Sequence, residues 1–187
     1  TARSLANGLD LSERELADLE ALGTYINYNG YGPAIGDLHF DPKDLYLKLY
    51  EADGPLDFVH NSSDFDKLSI GYREDMSKAE ALQPLHCNEN SAVFLLPDEA
   101  WARRVSGVYS NDLATENPDR AHAVLTLKAN GNYLISVRAP MTNKSGAAEL
   151  CMKFPTGGGR AGAAGINDLP AATLQSFVDA FEQAYSA

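Results

Sequence analysis

The sequence predicts an α/β (α+β) fold, a mixed β-sheet of about five strands with flanking helices, preceded by a mostly helical N-terminal segment. Three observations carry this reading. The first ~85 residues place apolar side chains at helical spacing and show almost no strand-like alternation. After Pro84, short apolar and β-branched runs alternate with helical patterns, as a layered α+β domain requires. Two of those runs flank Asn130-Gly131, the strongest short-range hairpin signal in the chain. At 187 residues and 44% hydrophobic, the chain can bury a sizeable core as one large or two small domains.

Ser12 and Glu15 close an S-E-R-E capping box, which opens a helix through Leu16, Leu19 and Leu22. Gly23 weakens that helix, and the aromatic, amide-rich stretch from Tyr25 to Gly32 reads as a turn. Asp41-Pro42 starts a second helix, because proline at the first helical position gives up an N–H that would be unpaired anyway. A short helix begins near Pro55, and Asp64 opens a longer one through Phe65, Leu68, Tyr72, Met76 and Leu82. Pro84 to Asn90 reads as a linker. Beyond it, Ala92 to Leu96 is a short apolar strand, and Asp98 caps a helix through Trp101, Val105 and Val108. Ala121 to Lys128 and Tyr133 to Arg138 are the hairpin strands, and Gly146 to Phe154 suits a short helix. A glycine-rich loop follows, and Leu174, Phe177, Val178, Phe181 and Tyr185 form the apolar face of a closing helix.

The formal net charge of −11 argues against non-specific attraction to nucleic acid or to an anionic membrane. The charge is uneven. Residues 1–122 hold ten Lys/Arg against twenty-two Asp/Glu, whereas residues 123–160 hold Lys128, Arg138, Lys144, Lys153 and Arg160 against Glu149 alone. No apolar run approaches the ~18 residues of a membrane span, and no secretory pattern opens the chain. Cys87 and Cys151 lack C-x-x-C or zinc spacing, so buried free thiols in a reducing compartment, the cytoplasm, are expected. A chain opening on Thr1 rather than methionine reads as a processed or excised piece. His39, His60, His86 and His122 are scattered outside any H-E-x-x-H spacing, and there is no G-x-S-x-G or Walker A. The glycine-rich stretch does not read as a G-x-G-x-x-G after a strand with an acidic residue ~20 further on, as a dinucleotide fold would want.

The stretch FPTGGGRAGAAGINDLP, Phe154 to Pro170, lies in the basic island. Gly157, Gly158 and Gly159 can bring backbone N–H groups close to an anion, and Arg160 adds a planar fork of donors suited to phosphate or carboxylate. In the competing, purely structural reading the glycines only permit helix–sheet packing and Arg138 caps a carbonyl. A further reading takes Arg160-x-x-Ala163-x-Gly165 as similar to the R/Q-x-x-G-x-G/A loop of acetyltransferases, which holds the pyrophosphate of acyl-CoA; here Ala163 replaces the pattern's glycine.

A resemblance covers more of the chain. Ile135-Ser136-Val137-Arg138, a short helix, then Gly157-Gly158-Gly159-Arg160 and Ala163-Ala164-Gly165 resemble the C-terminal domain of the DHH phosphoesterase superfamily. That domain carries a strand ending in S-x-R and a later G-G-G-H-x-x-A-A-G loop. Leu19-Glu20-Ala21-Leu22-Gly23-Thr24 resembles the L-x-A-L-G-T run near the end of the catalytic domain of RecJ-type exonucleases. The resemblance implies that Arg138 and Arg160 clamp a substrate phosphate or terminal nucleotide, with the amides of Gly157 to Gly159 as further donors. Arg160 replaces the family's loop histidine; it keeps the charge but cannot transfer a proton near neutral pH. Asn27 stands where the RecJ-type pattern has a metal-binding aspartate, and is expected to face the active site without holding metal, a neutral oxygen being a poor ligand for a hard cation.

Of the family's D-x-D and D-H-H motifs, which together bind two Mn²⁺ ions, D-H-H occurs nowhere in residues 1–187. The single D-x-D spacing, Asp64-Phe65-Asp66, opens a helical stretch with no D-H-H to complete it. The resemblance therefore implies a chain with no catalytic or metal-ligating residues and no cofactor of its own, inactive without a missing N-terminal catalytic domain. Residues 1–88 would be the helical remainder of that domain and a connector, and residues 89–187 the DHH-associated substrate-binding domain. The implied partners are nucleic-acid ends, short oligonucleotides or a small phosphoester, with no membrane. The overall acidity favours the shorter substrates.

Overall fold

A computed structural model describes residues 11–32 and 34–186. The first helix, α1 (Glu13–Asn29), has the expected capping box: the Ser12 hydroxyl accepts from the Glu15 N–H, and the Glu15 carboxylate accepts from the Ser12 N–H at 2.8 Å. It then runs straight through the stretch the sequence marks as a turn. Tertiary packing decides this, because Tyr28 is fully buried and the Tyr25 ring packs at a tilt against Phe65 and Tyr72. The turn is displaced to Gly30, whose N–H caps the helix end.

A 3₁₀ turn (Ile35–Asp37) leads into α2 (Pro42–Glu51), which Asp41 caps as expected. Two further helices follow, α3 (Pro55–Asn61) and α4 (Ser63–Glu80); the cap of α4 is Ser62, which accepts from the Asp64 N–H. The expected linker contains a short strand, β1 (His86–Cys87), paired antiparallel with β2 (Ser91–Leu96). Helix α5 (Ala100–Glu116) crosses over to β3 (Ala121–Leu127), which runs parallel to β2. The residue before α5 is Glu99 rather than Asp98, and it makes no capping bond; the Asp98 carboxylate is drawn away into an ion pair with Arg103. The hairpin partner β4 (Tyr133–Arg138) lies antiparallel to β3, with Gly131 in the left-handed region its turn needs.

A short helix, α6 (Ala147–Cys151), precedes a second hairpin of β5 (Gly157–Arg160) and β6 (Ala163–Leu169), and α7 (Leu174–Ala184) closes the fold. The mixed sheet has six strands in the order β1-β2-β3-β4-β6-β5. The glycine-rich stretch is thus an edge strand and its turn. Glycine lacks strand propensity and an alternating side-chain pattern, which is why the segment reads as a loop.

The sheet is covered on both faces. Ala121, Ala123 and Leu125 pack with Ile135, Val137, Phe177 and Phe181 on the face under α6 and α7. Val124 on the opposite face joins Val105 and Val108 of α5, Tyr28 of α1 and Met76 of α4 in a second cluster. The helical segment and the sheet therefore share buried apolar contacts, and Leu22, Leu45, Phe58 and Leu68 form a third cluster among α1 to α4. None of the described helices is long and apolar enough to cross a membrane.

A polar clamp ties these helices together. The Tyr28 hydroxyl donates to the Asp75 carboxylate and lies 2.7 Å from His39 Nε2. Arg104 reaches Asp75 through Nε at 2.8 Å and Nη2 at 2.7 Å, and its Nη1 donates to the Asp37 carbonyl at 2.5 Å. Arg103 pairs with the Asp37 carboxylate at 2.6 Å.

His122, on the α5 face of β3, is 1% exposed, and neither ring nitrogen makes a well-formed hydrogen bond. Burial, reinforced by the Arg120 guanidinium, pushes its pKa down to about 4 from 6.5. Between those values the unfolded chain binds a proton that the folded chain refuses, so stability is expected to fall as pH drops through that window. The loss reaches roughly 3 kcal/mol by pH 4. His39, also lowered by burial, acts in the same direction. Urea unfolding at pH 7 and at pH 4.5 measures this; a stability unchanged across that interval contradicts it, and His122→Leu should flatten the slope.

Candidate functional site

The register of the sheet brings the two predicted arginines together. Arg138 pairs with Ala163 across β4 and β6, and Arg160 pairs with the same Ala163 across β5 and β6. The three residues form one cross-strand row, so both arginines leave the same face of the sheet about 10 Å apart at the backbone. That face is the one covered by α5, because Ile135 and Val137 turn to the other side.

Between this row and α5 lies a cleft of about 480 Å³. Its walls are Asn111, Ala114 and Thr115 of α5, the Arg138–Ala139 end of β4, Met141 and Lys144 of the following loop, and Arg160, Gly162 and Ala163 of the β5–β6 turn. Three cations line it and no carboxylate does. Among the described residues, no acidic side chain pairs with Arg138, Lys144 or Arg160.

Arg138 is half-buried and held by neutral oxygens only. Its Nε donates to Asn111 Oδ1 at 3.0 Å, and Nη1 donates to Ser136 Oγ at 2.9 Å and the Val137 carbonyl at 3.3 Å. Burial lowers its pKa from the ordinary arginine value; Tyr31 opposes that shift and Arg160 adds to it. The guanidinium group stays charged in proteins at neutral pH. A half-buried cation without a counter-ion, beside two more cations, is an arrangement that an anion completes.

The glycines occupy a different place from the arginines. Gly157, Gly158 and Gly159 belong to β5 and do not line the cleft. The Gly157 N–H donates to the Phe154 carbonyl at 3.1 Å, and a side chain at Gly157 would run into the Cys151 carbonyl oxygen at the end of α6. Gly159 has φ +144° and lies against the Ala164 backbone. Both positions need glycine for backbone reasons, which is the packing role weighed above for this stretch.

Asn27 lies on α1 in a second cleft of about 790 Å³, with Glu20, Thr24, Tyr72, Asn111 and Asp112 in its walls. Its Nδ2 donates to the Tyr31 hydroxyl at 3.4 Å. Burial, with Glu116 and Glu80 nearby, raises the pKa of Asp112 above the usual carboxylate value. Two clefts of opposite polarity thus adjoin, with Asn111 in the wall of each. No group of three or more His, Cys, Asp or Glu side chains that could hold a metal ion converges among the described residues. Asn111 carries no sequence signal for this site, Ser136 is visible only as the serine of the S-x-R strand end, and Lys144 only as part of the basic island.

No family model and no curated protein sequence matches the chain. Solved structures do. A pGpG-specific phosphodiesterase from Vibrio cholerae matches with TM-score 0.60 and 14% identity, over 87% of this chain and 56% of that one. RecJ from Thermus thermophilus, in complex with Mg²⁺, matches with TM-score 0.60 and 18% identity, over 97% of this chain and 27% of that one. The DHH domain of a member of the s1p family of ribosomal proteins matches with TM-score 0.57 and 12% identity, over 95% of this chain and 43% of that one. The chain spans about half the length of the first of these and less of the other two. Identities this low speak for the fold alone, and the six-stranded mixed sheet behind a helical N-terminal part is a fold the chain shares with the matching parts of these three proteins.

Proposed function

We propose that the cleft between α5, the end of β4 and the β5–β6 turn binds a phosphate, and that the chain is the substrate-binding part of a DHH-type phosphoesterase. The observation that carries this is the row Arg138–Ala163–Arg160, with Lys144 beside it and no carboxylate in the walls. Three cations match a phosphate dianion, and Arg138 is already oriented, so little order is lost on binding. The similarity to a pGpG-specific phosphodiesterase supports a short nucleotide or a nucleic-acid end as the substrate. In this reading residues 1–88 are the remainder of the catalytic domain with its connector, and Asn27 faces the reacting part of the substrate. The role is to position a phosphoester; the metal-assisted hydrolysis belongs to residues outside this chain.

The test is calorimetric titration with nucleoside 5′-monophosphates and two-residue oligonucleotides. Arg138→Ala and Arg160→Ala are each expected to weaken binding about ten-fold or more, the worth of one charge-assisted hydrogen bond. Affinity unchanged in both variants would sink the proposal. Manganese-dependent hydrolysis by this chain alone would remove the claim that it only binds. Acetyl-CoA serves as the control: protection against heat by acetyl-CoA and by no nucleotide would move the site to acyl transfer.

A further inference from the structure

We propose that Asn111 of α5 is a positioning residue for this site, orienting Arg138 while leaving its charge unspent; the inference rests on the cleft being a phosphate site. Arg138 is half-buried, so its Nε–H needs an acceptor. A carboxylate would satisfy that N–H and cancel the charge as well. The side-chain oxygen of Asn111, 3.0 Å from Nε, satisfies the N–H with no charge at all.

The same geometry fixes the amide of Asn111. Arginine only donates, so Oδ1 must face Nε and the NH₂ group must face elsewhere. That NH₂ has no protein partner among the described residues, and the side chain lines the cleft. Asn111 therefore supplies two services from one neutral group. It sets the plane of the guanidinium, and it offers the anion an uncharged donor beside the three cations.

Its location adds a reason for neutrality. Asn111 stands in the wall shared with the second cleft, where Glu20 and Asp112 lie. An uncharged side chain at this boundary keeps the next acidic group out of reach of Arg138, which has no carboxylate partner among the described residues. An acidic residue at position 111 would close the arginine's fork with an internal ion pair and leave the anion to compete with it.

The experiment uses the full chain with inorganic phosphate and a nucleoside 5′-monophosphate as probes, comparing wild type, Asn111→Ala, Asn111→Asp and Arg138→Ala by calorimetry and thermal unfolding. Asn111→Asp is expected to lower phosphate affinity by at least about ten-fold while Tm holds or rises, because the new carboxylate pairs with Arg138. Asn111→Ala is expected to lower it by only a few-fold, with Tm nearly unchanged, because water can take the place of Oδ1 beside Nε at this exposed position. The order Asn, then Ala, then Asp is the signature. A merely structural role predicts the reverse, since Asp is the closer match in shape and Ala would lower Tm and affinity together. Wild-type affinity in Asn111→Asp, while Arg138→Ala abolishes binding, overturns the inference and leaves the phosphate site standing. Phosphate binding that is absent in wild type, or indifferent to Arg138→Ala, removes the site and this inference with it.

Discussion

Arg104→Met is expected to destabilise the protein by about 3–5 kcal/mol at neutral pH, the range for breaking a buried ion pair from one side. The Asp75 side chain is only 3% exposed, and Arg104 holds it through two nitrogens at 2.7–2.8 Å. Without Arg104 the carboxylate keeps the Tyr28 hydroxyl, the ammonium of the half-exposed Lys78 at 3.4 Å and His39 Nε2 at 4.0 Å, of which only Lys78 is a standing cation. The Asp37 carbonyl loses a donor at the same time. Urea unfolding measures the loss, and a cost below about 1 kcal/mol would show that the clamp is not structural. Removing the buried charge too, in Arg104→Met with Asp75→Leu, should recover much of the difference, because the penalty lies in a buried carboxylate that has lost its main cation. The clamp has a functional side. It ties α1, which carries Asn27, to α5, which carries Asn111, and so sets the spacing of the two clefts.

Gly157→Val is expected to dislodge β5 and abolish phosphate binding, although Gly157 does not touch the cleft. A side chain there meets the Cys151 carbonyl oxygen, a backbone atom that cannot swing aside. Either α6 shifts or β5 leaves β6, and the second outcome carries Arg160 away from the row that positions it. The stability cost is expected to be about 3 kcal/mol or more, as for forced overpacking. Gly158→Ala is the control. Nothing lies within 4 Å of the position its methyl would take, so stability and binding should stay close to wild type. Equal behaviour of Gly157→Val and Gly158→Ala, in stability and in phosphate affinity, would contradict the argument.

What the sequence revealed follows from how local each determinant is. The Ser12–Glu15 box, the Asp41-Pro42 start and the Asn130-Gly131 hairpin are complete within a few residues, and all three form as read. Asp98 misled because its carboxylate has a stronger partner in Arg103, five residues on. Tyr25 to Asn29 misled because long-range burial of Tyr28 extends a helix that glycine and asparagine locally disfavour. The β5 strand was hidden by its glycines, and β1 by being two residues long.

For the site, Arg138 and Arg160 stood out through charge and through the resemblance. Their meeting across one row depends on strand order, which no spacing along the chain encodes. Asn111 lies 27 positions from Arg138 and on another element, so only the folded sheet identifies it.

The sheet's two outermost strands have a bearing on how the protein behaves in concentrated solution. One border is a pair of residues, and the other is four residues ending in Arg160. Borders this brief offer a neighbouring copy few free amides to zip onto, and the arginine repels its own image. A net charge of −11 adds mutual repulsion between molecules, and both features work against edge-to-edge growth into stacked fibrils.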